Sequence, residues 1–380
     1  MKKKILIVTE RRADYSKFRP ILHAIKNSKN LDYYLIVTGS HLLKEYGNTI
    51  QDIQNDGFKI TEQFSMYKKN KKDTGAEMCR SFGNAIIRLT DIIEKLKPDI
   101  ILSGFDIGAN FAAAVIGAHM NIVVVHLEGG EISGTIDESI RHATTKFSHI
   151  HLTSNQFASK RLIKMGENPK FVFTVGNPSI DMILSVKPMN LKNLENEFSI
   201  DFLKPFVLIM QHTVTSEITY VDKYIKTTLD AIKELNIQAI LIHGNADAGS
   251  AKIAKVIKNS KIKQYTTLQF PKYINLLKNC SALVGNSSSG IMEAPFLHVP
   301  SINIGTRQLG RLRQESVIDV NYDKEQIKKA IKKAIYNKRF LKKIKKQKQL
   351  YGNGHSSEKI IKILEGINLT NFPIQKQMTY

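Results

Sequence analysis

The sequence predicts an α/β protein made of two doubly wound parallel domains with a cleft between them. Short runs rich in Ile and Val alternate with longer segments of helical periodicity, which is typical of strands buried on both faces of a parallel sheet. The alternation stops in a charged, asparagine-rich connector at 187–199 and then begins again. A chain of 380 residues is long enough for two domains of ordinary size.

The first predicted domain covers residues 1–185, and most of its apolar runs are followed by a helical pattern. Helices are predicted near 16–28, 109–119, 137–147 and 157–166. Strands are predicted at 4–9, 32–39, 98–104, 121–130, 149–154 and 171–178. This alternation predicts one parallel sheet with helices packed on it.

The second predicted domain covers residues 186–352 and repeats the same alternation. Its strands are predicted at 206–212, 239–245, 268–271, 282–290 and 300–305, and its helices near 219–234, 251–258, 273–279, 289–296 and 324–348. The remaining segment, 353–380, contains a helical pattern at 355–367 that would return to the first domain. Ligands of such folds bind at the carboxyl ends of the strands, so we expect the site in the interdomain cleft.

The charge balance is strongly basic, with 56 Lys+Arg against 34 Asp+Glu and a net charge of +22. The lysines are densest at 324–347, where apolar residues recur at helical spacing, so they form the solvated face of an amphipathic helix. Aromatic residues do not interleave with them as they do in single-strand binders. The sequence therefore predicts attraction to anionic ligands and no nucleic-acid partner.

The cysteine content and the apolar runs indicate the compartment. Cys79 and Cys280 are the only cysteines, and their separation excludes a cysteine-based zinc site and suits a reducing environment. The apolar run at 5–9 is shorter than the about 7–15 residues of a secretory signal, and no run reaches the roughly 18 residues of a membrane span. We therefore expect a cytoplasmic protein without a membrane span.

Carboxylates gather in and near the segment HLEGGEISGTIDESIRH at 126–142. Glu128 closes a predicted strand before two glycines, Asp137 opens the next helix with Arg141 one turn on, and Asp106 follows a neighbouring strand. Each alone has a structural explanation, a loop charge for Glu128 and a helix cap for Asp137. Carboxylates brought together out of water raise one another's pKa, which general acid–base catalysis at neutral pH requires. The cluster therefore predicts a proton-transfer site.

An anion site is predicted where GNSSSGIMEA (285–294) follows a strand and begins a helix. Its small residues expose backbone N–H groups and hydroxyls, although a plain helix cap explains the same pattern and no Walker A lysine is present. The Glu293 carboxylate could accept hydrogen bonds from both hydroxyl groups of a ribose. Arg307 and Arg311 in GTRQLGR (305–311) are spaced to face the same site and suit oxyanions.

Three further residues stand at predicted strand ends facing the cleft. Arg12 follows the first strand of the first domain, and His212 and Asn245 end two strands of the second. A lone histidine at a strand end is more often structural than catalytic. The three positions taken together favour a binding site.

These blocks together resemble the hydrolysing UDP-N-acetylglucosamine 2-epimerases of sialic and legionaminic acid biosynthesis, including the epimerase half of the animal bifunctional epimerase/kinase. The similarity runs nearly end to end, through RADYSK (12–17), GSHLLKEYGNT (39–49), HLEGGEISGTIDESIRHA (126–143), QHTVT (211–215), NADAGS (245–250), GNSSSG (285–290) and GTRQLGR (305–311). The resemblance implies a GT-B architecture of two Rossmann-like domains with the active site between them. It also implies a homo-oligomer, a dimer or a tetramer.

The resemblance also implies the reaction and the residues that carry it. A base takes the C2 proton, the C1–O bond to UDP breaks to leave a 2-acetamidoglycal, and water adds from the other face to give free N-acetylmannosamine. No metal and no cofactor are implied. The implied catalytic residues are Asp106, Glu128, Asp137 and Arg141. The implied residues for the nucleotide-sugar substrate are Arg12, Ser16, His212, Asn245, Gly285, Ser287, Ser288, Glu293, Arg307 and Arg311.

One block departs from the family pattern. Relatives show HGDR where this chain reads GFDIGAN (104–110), so Ile107 replaces an arginine and Gly104 a histidine. Ile offers no charge to a departing diphosphate. We predict UDP-GlcNAc as the substrate. Two alternatives stay open, the same reaction on a UDP- or GDP-linked 2,4-diacetamido-2,4,6-trideoxyglucose and a weakly catalytic sugar-nucleotide sensor. Retained carboxylates argue against the sensor.

Overall fold

The protein is described here by a computed structural model, which covers residues 1–68, 73–105, 108–244 and 247–379. The described residues form two parallel sheets, each packed between layers of helices. Alternate residues of one buried strand enter different cores, since Ile5 and Ile7 pack on one face of the first sheet and Leu6 and Val8 on the other. This two-sided burial explains the continuous apolar runs in the sequence.

The first sheet has seven parallel strands in the order β3-β2-β1-β4-β5-β6-β7. The order reverses beside β1, which pairs with β2 on one side and with β4 on the other. Such a reversal opens a crevice at the carboxyl ends of the strands. The strands are β1 (Lys3–Thr9), β2 (Leu31–Val37), β3 (Glu62–Gln63), β4 (Ile100–Gly104), β5 (Val123–Leu127), β6 (Ile150–Thr153) and β7 (Val172–Thr174).

Between residues 1 and 185, the described part of the chain forms the α-helices α1 (Arg12–Asn27), α2 (Ile50–Asn55), α3 (Gly75–Leu96), α4 (Gly108–His119), α5 (Ile136–Phe147), α6 (Gln156–Lys164) and α7 (Pro178–Ser185). Helices α2, α3 and α7 were not predicted from the sequence. Thr74 begins α3 by accepting a hydrogen bond from the Glu77 backbone, and Ala85, Leu89 and Ile93 form its buried stripe. Helix α3 covers the face of the sheet opposite α1.

The second sheet has six parallel strands in the order β10-β9-β8-β11-β12-β13. These are β8 (Phe206–Met210), β9 (Gln238–Ile242), β10 (Lys263–Tyr265), β11 (Ala282–Gly285), β12 (Ser301–Ile304) and β13 (Val317–Val320). The strand predicted at 268–271 is wrong, because the edge strand is the polar segment β10 and a helix begins at Phe270. The sequence analysis also missed β13.

The helices of the second half are α8 (Leu191–Phe198), α9 (Val221–Glu234), α10 (Ser250–Lys258), α11 (Phe270–Asn279), α12 (Glu293–Phe296), α13 (Lys324–Tyr336) and α14 (Lys338–Ile344). The connector at 187–199 therefore contains a helix, and Leu194 and Phe198 pack in the core of the second sheet. The single helix predicted over 324–348 is two helices, because the Asn337 side chain caps α14 at the Phe340 N–H.

The last helix, α15 (Ser356–Gly366), packs against α1 and α7, and its Ile360 and Leu364 join the core of the first sheet. The segment after it continues over the same domain, where Phe372 contacts Phe171 and the Ile374 carbonyl lies 2.9 Å from His149 Nε2. On these contacts we propose domain limits of 1–185 and 186–352, with 353–380 as an extension that packs on the first domain. No helix in the described part of the chain has the length and apolar character needed to cross a bilayer.

Candidate active site

A cleft lies between the two sheets, at the carboxyl ends of strands from both. Its wall from the first domain includes α1 and the loop after β5, and its wall from the second includes the ends of β8 and β11. The cleft brings together these predicted site residues: Arg12, Ser16, Glu128, Asp137, His212, Ser287, Ser288, Glu293, Arg307 and Arg311. Lys17, Phe105 and Tyr273 also line the cleft but were not predicted from the sequence.

Two predicted residues lie elsewhere, and others fall outside the description. Arg141 is 1% exposed and lies beneath the loop, so contact with a substrate is not expected of it. Gly285 ends β11, where a Cβ atom would lie 2.0 Å from the Met210 carbonyl oxygen; this close approach, with a φ of +135°, explains the glycine by packing. Asp106, Ile107 and Asn245 lie outside the described residues.

Glu128 occupies an unusual position directly after β5. Its φ of +62° lies in the left-handed region that non-glycine residues rarely adopt, and its backbone N–H donates to the Leu152 carbonyl on β6. Its carboxylate Oε2 lies 2.6 Å from Lys17 Nζ, whereas its buried Oε1 has no hydrogen-bond partner among the described residues. One carboxylate oxygen is thus left for a ligand.

Asp137 lies in the first turn of α5 but does not cap it. Thr135 is the cap, and its hydroxyl accepts a hydrogen bond from the Asp137 backbone N–H. The Asp137 carboxylate instead lies 3.7 Å from the Arg307 guanidinium, which comes from the second domain. The helix-cap explanation for Asp137 is therefore wrong, and the carboxylate faces the cleft.

Buried polar side chains support the loop that carries these carboxylates. Arg141 Nη1 donates to the Glu131 carbonyl at 3.0 Å, Arg161 donates to the Gly130 carbonyl, and Asn155 donates to the Glu131 carboxyl. Burial raises the pKa of Glu131, with the Glu128 charge adding to the rise and Arg311 opposing it. We assign Arg141 a positioning role, since it touches the loop backbone.

In the second domain, His212 is held in place by two hydrogen bonds that it exchanges with Asn286. The His212 N–H donates to Asn286 Oδ1 at 2.6 Å, and Asn286 Nδ2 donates to the His212 carbonyl at 2.9 Å. Burial, followed by the charge of Arg307, holds the pKa of His212 well below its usual range, so the imidazole is neutral. Asn286 was not predicted, although it lies inside the GNSSSG block.

Glu293 is the acidic residue of the predicted anion site. It begins α12, is buried, and its Oε2 has no hydrogen-bond partner among the described residues. Nearby, the Ser287 hydroxyl accepts from the Ser289 N–H, and Ser289 in turn pairs with the Tyr273 hydroxyl. A buried carboxylate oxygen without a partner is costly, and hydroxyl groups of a ligand would satisfy it.

The two domains touch directly across the cleft. The Gly134 N–H donates to the Arg307 carbonyl at 3.0 Å, and Arg311 Nε donates to the Ile132 carbonyl at 3.1 Å. The loop of the first domain that carries the carboxylates therefore rests on the segment of the second domain that carries the arginines. The site is thus built from residues of both domains.

Gly134→Ala tests this contact, because an added Cβ would lie 2.0 Å from the Thr306 carbonyl oxygen. We expect the domains to close less completely and kcat/KM to fall by about tenfold or more, since small misplacements at a site are costly. The matched control is Gly83→Ala on α3, where an added Cβ meets nothing within 4 Å. Equal activity of both variants in a UDP-release assay would contradict the assignment.

The sequence matches a known protein family over most of its length. The model of the family described as UDP-N-acetylglucosamine 2-epimerase matches residues 23–365. The chain belongs to this family. It is therefore an enzyme, and the resemblance inferred from its motifs is confirmed. A UDP-N,N'-diacetylbacillosamine 2-epimerase (hydrolyzing) of Legionella pneumophila is 33% identical over 384 residues, 100% of each chain.

Other relatives have similar sequence identities and are named for different substrates. A GDP/UDP-N,N'-diacetylbacillosamine 2-epimerase (hydrolyzing) of Campylobacter jejuni is 37% identical over 84% of each chain, and a UDP-N-acetylglucosamine 2-epimerase of Neisseria meningitidis is 34% identical over 87% of each. A Neisseria meningitidis UDP-GlcNAc 2-epimerase crystallised with UDP-GlcNAc superposes with a TM-score of 0.81 at 19% identity, over 95% of this chain and 99% of that one. The predicted GT-B fold of two Rossmann-like domains is thereby confirmed.

Proposed function

We propose that the protein is a hydrolysing 2-epimerase that removes UDP from a UDP-linked 2-acetamido sugar and releases the free 2-epimer. One observation carries the proposal: Glu128 and Asp137 line the same interdomain cleft as His212 and Glu293. The first pair can move protons at a sugar. The second pair lies at the carboxyl edge of the second sheet, where α/β folds bind nucleotides.

The second domain would hold the nucleotide. Glu293 Oε2, buried and without a described partner, would accept hydrogen bonds from the ribose hydroxyls. Arg307 and Arg12 line the cleft and would bind the diphosphate, for which guanidinium groups are well suited. The neutral His212 imidazole adds a hydrogen bond without adding charge. Ser287 and Ser288 would contribute hydroxyls to the same anion.

The first domain would carry out the chemistry. A carboxylate of the loop takes the C2 proton, the C2–H electron pair forms the C1=C2 double bond, and the C1–O bond breaks so that UDP leaves with the C1–O electron pair. A carboxylic acid then returns a proton to C2 from the opposite face, and water adds its hydroxyl to C1 while its remaining proton passes to a carboxylate. Glu128, Asp137 and, by its place in the family motif, Asp106 are the groups we propose for these transfers.

Two sugar nucleotides are candidate substrates of this one reaction. The Neisseria relative is named for UDP-GlcNAc, whereas the Legionella and Campylobacter relatives are named for diacetylbacillosamine nucleotides. The relative matched over the whole chain is of the second kind, and Ile107 stands where an arginine is expected. These two observations favour a UDP-linked 2,4-diacetamido-2,4,6-trideoxyglucose as the second candidate. We further propose that the product serves nonulosonic acid synthesis.

Parallel assays separate the two substrates. UDP-GlcNAc and its 2,4-diacetamido-2,4,6-trideoxy counterpart are supplied at equal concentrations, and UDP release is followed by chromatography. We expect UDP release from at least one, with kcat/KM for the preferred sugar at least about tenfold higher, since a mispaired polar group costs about 1–3 kcal/mol. A protein that binds both and releases UDP from neither would instead be a sensor.

UDP alone is expected to stabilise the native protein. At 100 times its Kd it contributes about 2.7 kcal/mol, which corresponds to a rise in Tm of about 5–10 °C for domains of this size. Glu293→Gln should remove most of this rise, while Asp222→Asn on the exposed face of α9 should keep it. A rise caused by GDP and not by UDP, measured by scanning fluorimetry, would show that the nucleotide is assigned wrongly.

A further inference from the structure

We propose that Lys17 is a positioning residue that holds Glu128 as the ionised base of the reaction. The inference rests on the proposed function and deepens it, because it decides which carboxylate takes the C2 proton. Lys17 lies on α1, one residue after Ser16, and lines the cleft.

The pair between Lys17 and Glu128 is shielded from solvent. Lys17 Nζ lies 2.6 Å from Glu128 Oε2, and the two side chains are 12% and 5% exposed. Charges removed from water this far must compensate each other, because a lone buried ion costs several kcal/mol. The contact therefore lets the ammonium and the carboxylate compensate each other. A carboxylate that stays charged can accept a proton and cannot donate one.

The backbone is strained at two residues whose side chains contact Lys17. Phe105 and Glu128 directly follow the neighbouring strands β4 and β5, and both are non-glycine residues with positive φ, at +70° and +62°. Such a conformation is unfavourable for a residue with a side chain and persists only where the surroundings enforce it. Lys17 Nζ lies 4.7 Å from the Phe105 ring centroid and beside the Glu128 carboxylate. Both strained residues thus contact the same ammonium group.

Only one oxygen of Glu128 is left for chemistry. Oε2 is held by Lys17, whereas Oε1 is buried and has no hydrogen-bond partner among the described residues. In the elimination, Oε1 takes the C2 proton, the C1=C2 bond forms, and UDP departs with the C1–O electrons. Lys17 remains an ammonium group throughout. Asp137, which lies 3.7 Å from Arg307, and Asp106, by its motif position, are then left to act during hydration.

The test is a double-mutant cycle with turnover and UDP affinity as separate measurements. Lys17→Met should lower kcat by about tenfold to a hundredfold while KM and the Kd of UDP change less than about threefold. Lys17→Arg, which keeps the charge, should recover part of the loss. Lys17→Met combined with Glu128→Gln should be no slower than Glu128→Gln alone, because Lys17 acts through that carboxylate. Lys26→Met, farther along α1, is the control and should keep wild-type turnover.

The other outcomes overturn the inference in distinct ways. Losses that multiply in the double variant would show that Lys17 acts independently of Glu128, and a Kd for UDP that rises as much as kcat falls would make it a nucleotide ligand. If Lys17→Met does not fold, Lys17→Gln, which keeps a donor and loses the charge, takes its place in the cycle. A wild type that releases UDP from neither sugar would overturn the proposed function, and this inference with it.

Discussion

Replacing Glu128 by Gln or Asp137 by Asn is expected to lower turnover by about a hundredfold or more while leaving the fold and UDP affinity intact. Each substitution keeps the shape of the side chain and removes its capacity to exchange a proton, and general acid–base groups contribute on this scale. Both carboxylates line the cleft, and neither is used as a helix cap. Asp106→Asn is expected to behave in the same way, on the grounds of its motif position.

The matched controls are carboxylate-to-amide substitutions outside the cleft. Glu94→Gln and Asp91→Asn change exposed residues of α3 and should keep wild-type turnover. Turnover is measured as UDP release, and folding by circular dichroism and UDP-induced stabilisation. Near-normal turnover of the Glu128, Asp137 and Asp106 variants would remove the acid–base assignment and with it the proposed mechanism.

A second large effect is expected far from the cleft, at Glu167. This residue is fully buried after α6, and its carboxylate lies 2.8 Å from Lys146 Nζ and 2.9 Å from His151 Nε2. Lys376, from the segment after α15, also pairs with it. Removing the buried carboxylate leaves its cationic partners without compensation, and because the Lys146 side chain is 38% exposed, the cost lies at the low end of the about 3–5 kcal/mol typical of fully buried pairs. Glu167→Gln should therefore lower the free energy of unfolding by about 3 kcal/mol at pH 7.

The effect of Glu167→Gln on the free energy of unfolding should depend on pH. Burial alone would raise the pKa of Glu167, but hydrogen bonds and charges from His151, Lys146 and Lys376 lower it to about 2, against 4.5 for the free side chain. A carboxyl whose pKa falls on folding stabilises the native state above its unfolded pKa and loses that contribution as the pH falls towards the folded value. The deficit of Glu167→Gln should thus shrink between pH 4.5 and pH 3.

Urea denaturation of the wild type and the variant at several pH values measures this deficit. The control is Glu62→Gln, whose partner Lys95 lies 3.0 Å away in a pair with 38% and 71% exposed side chains. Exposed pairs contribute about 0–1 kcal/mol, so this variant should be nearly as stable as the wild type. A deficit at Glu167 that is the same at pH 7 and pH 3 would show that packing, and not charge, is responsible.

The central strands of both sheets were predictable because burial on two faces leaves a continuous apolar run. The edge strand β10 lacks such a run, because its residues Lys263–Tyr265 are polar and only partly buried, and it was therefore not predicted. Edge strands commonly carry charge, which erases the apolar signal. Helix α3 has a clear buried stripe, but Gly75 and Gly83 weaken its local helical signal, and the sequence analysis passed over it.

The site was predictable to the extent that strand ends define it. Glu128, His212 and Glu293 follow or lie near the ends of strands, and the parallel topology brings those ends together. The partners of these residues were not predictable, because a contact such as that between Lys17 and Glu128 depends on how α1 packs over the sheet. Arg141 is the opposite case. It lies in the predicted catalytic motif, but in the folded protein it is buried behind the loop.

Elimination of UDP followed by hydration can be followed through isotope labels when the enzyme works in D₂O enriched in ¹⁸O. We expect a free 2-epimerised sugar that carries deuterium at C2 and ¹⁸O at C1, together with UDP that carries no ¹⁸O, as read by NMR and mass spectrometry of both products. An epimer still linked to UDP, or a free sugar that retains its original C2 hydrogen, would contradict it.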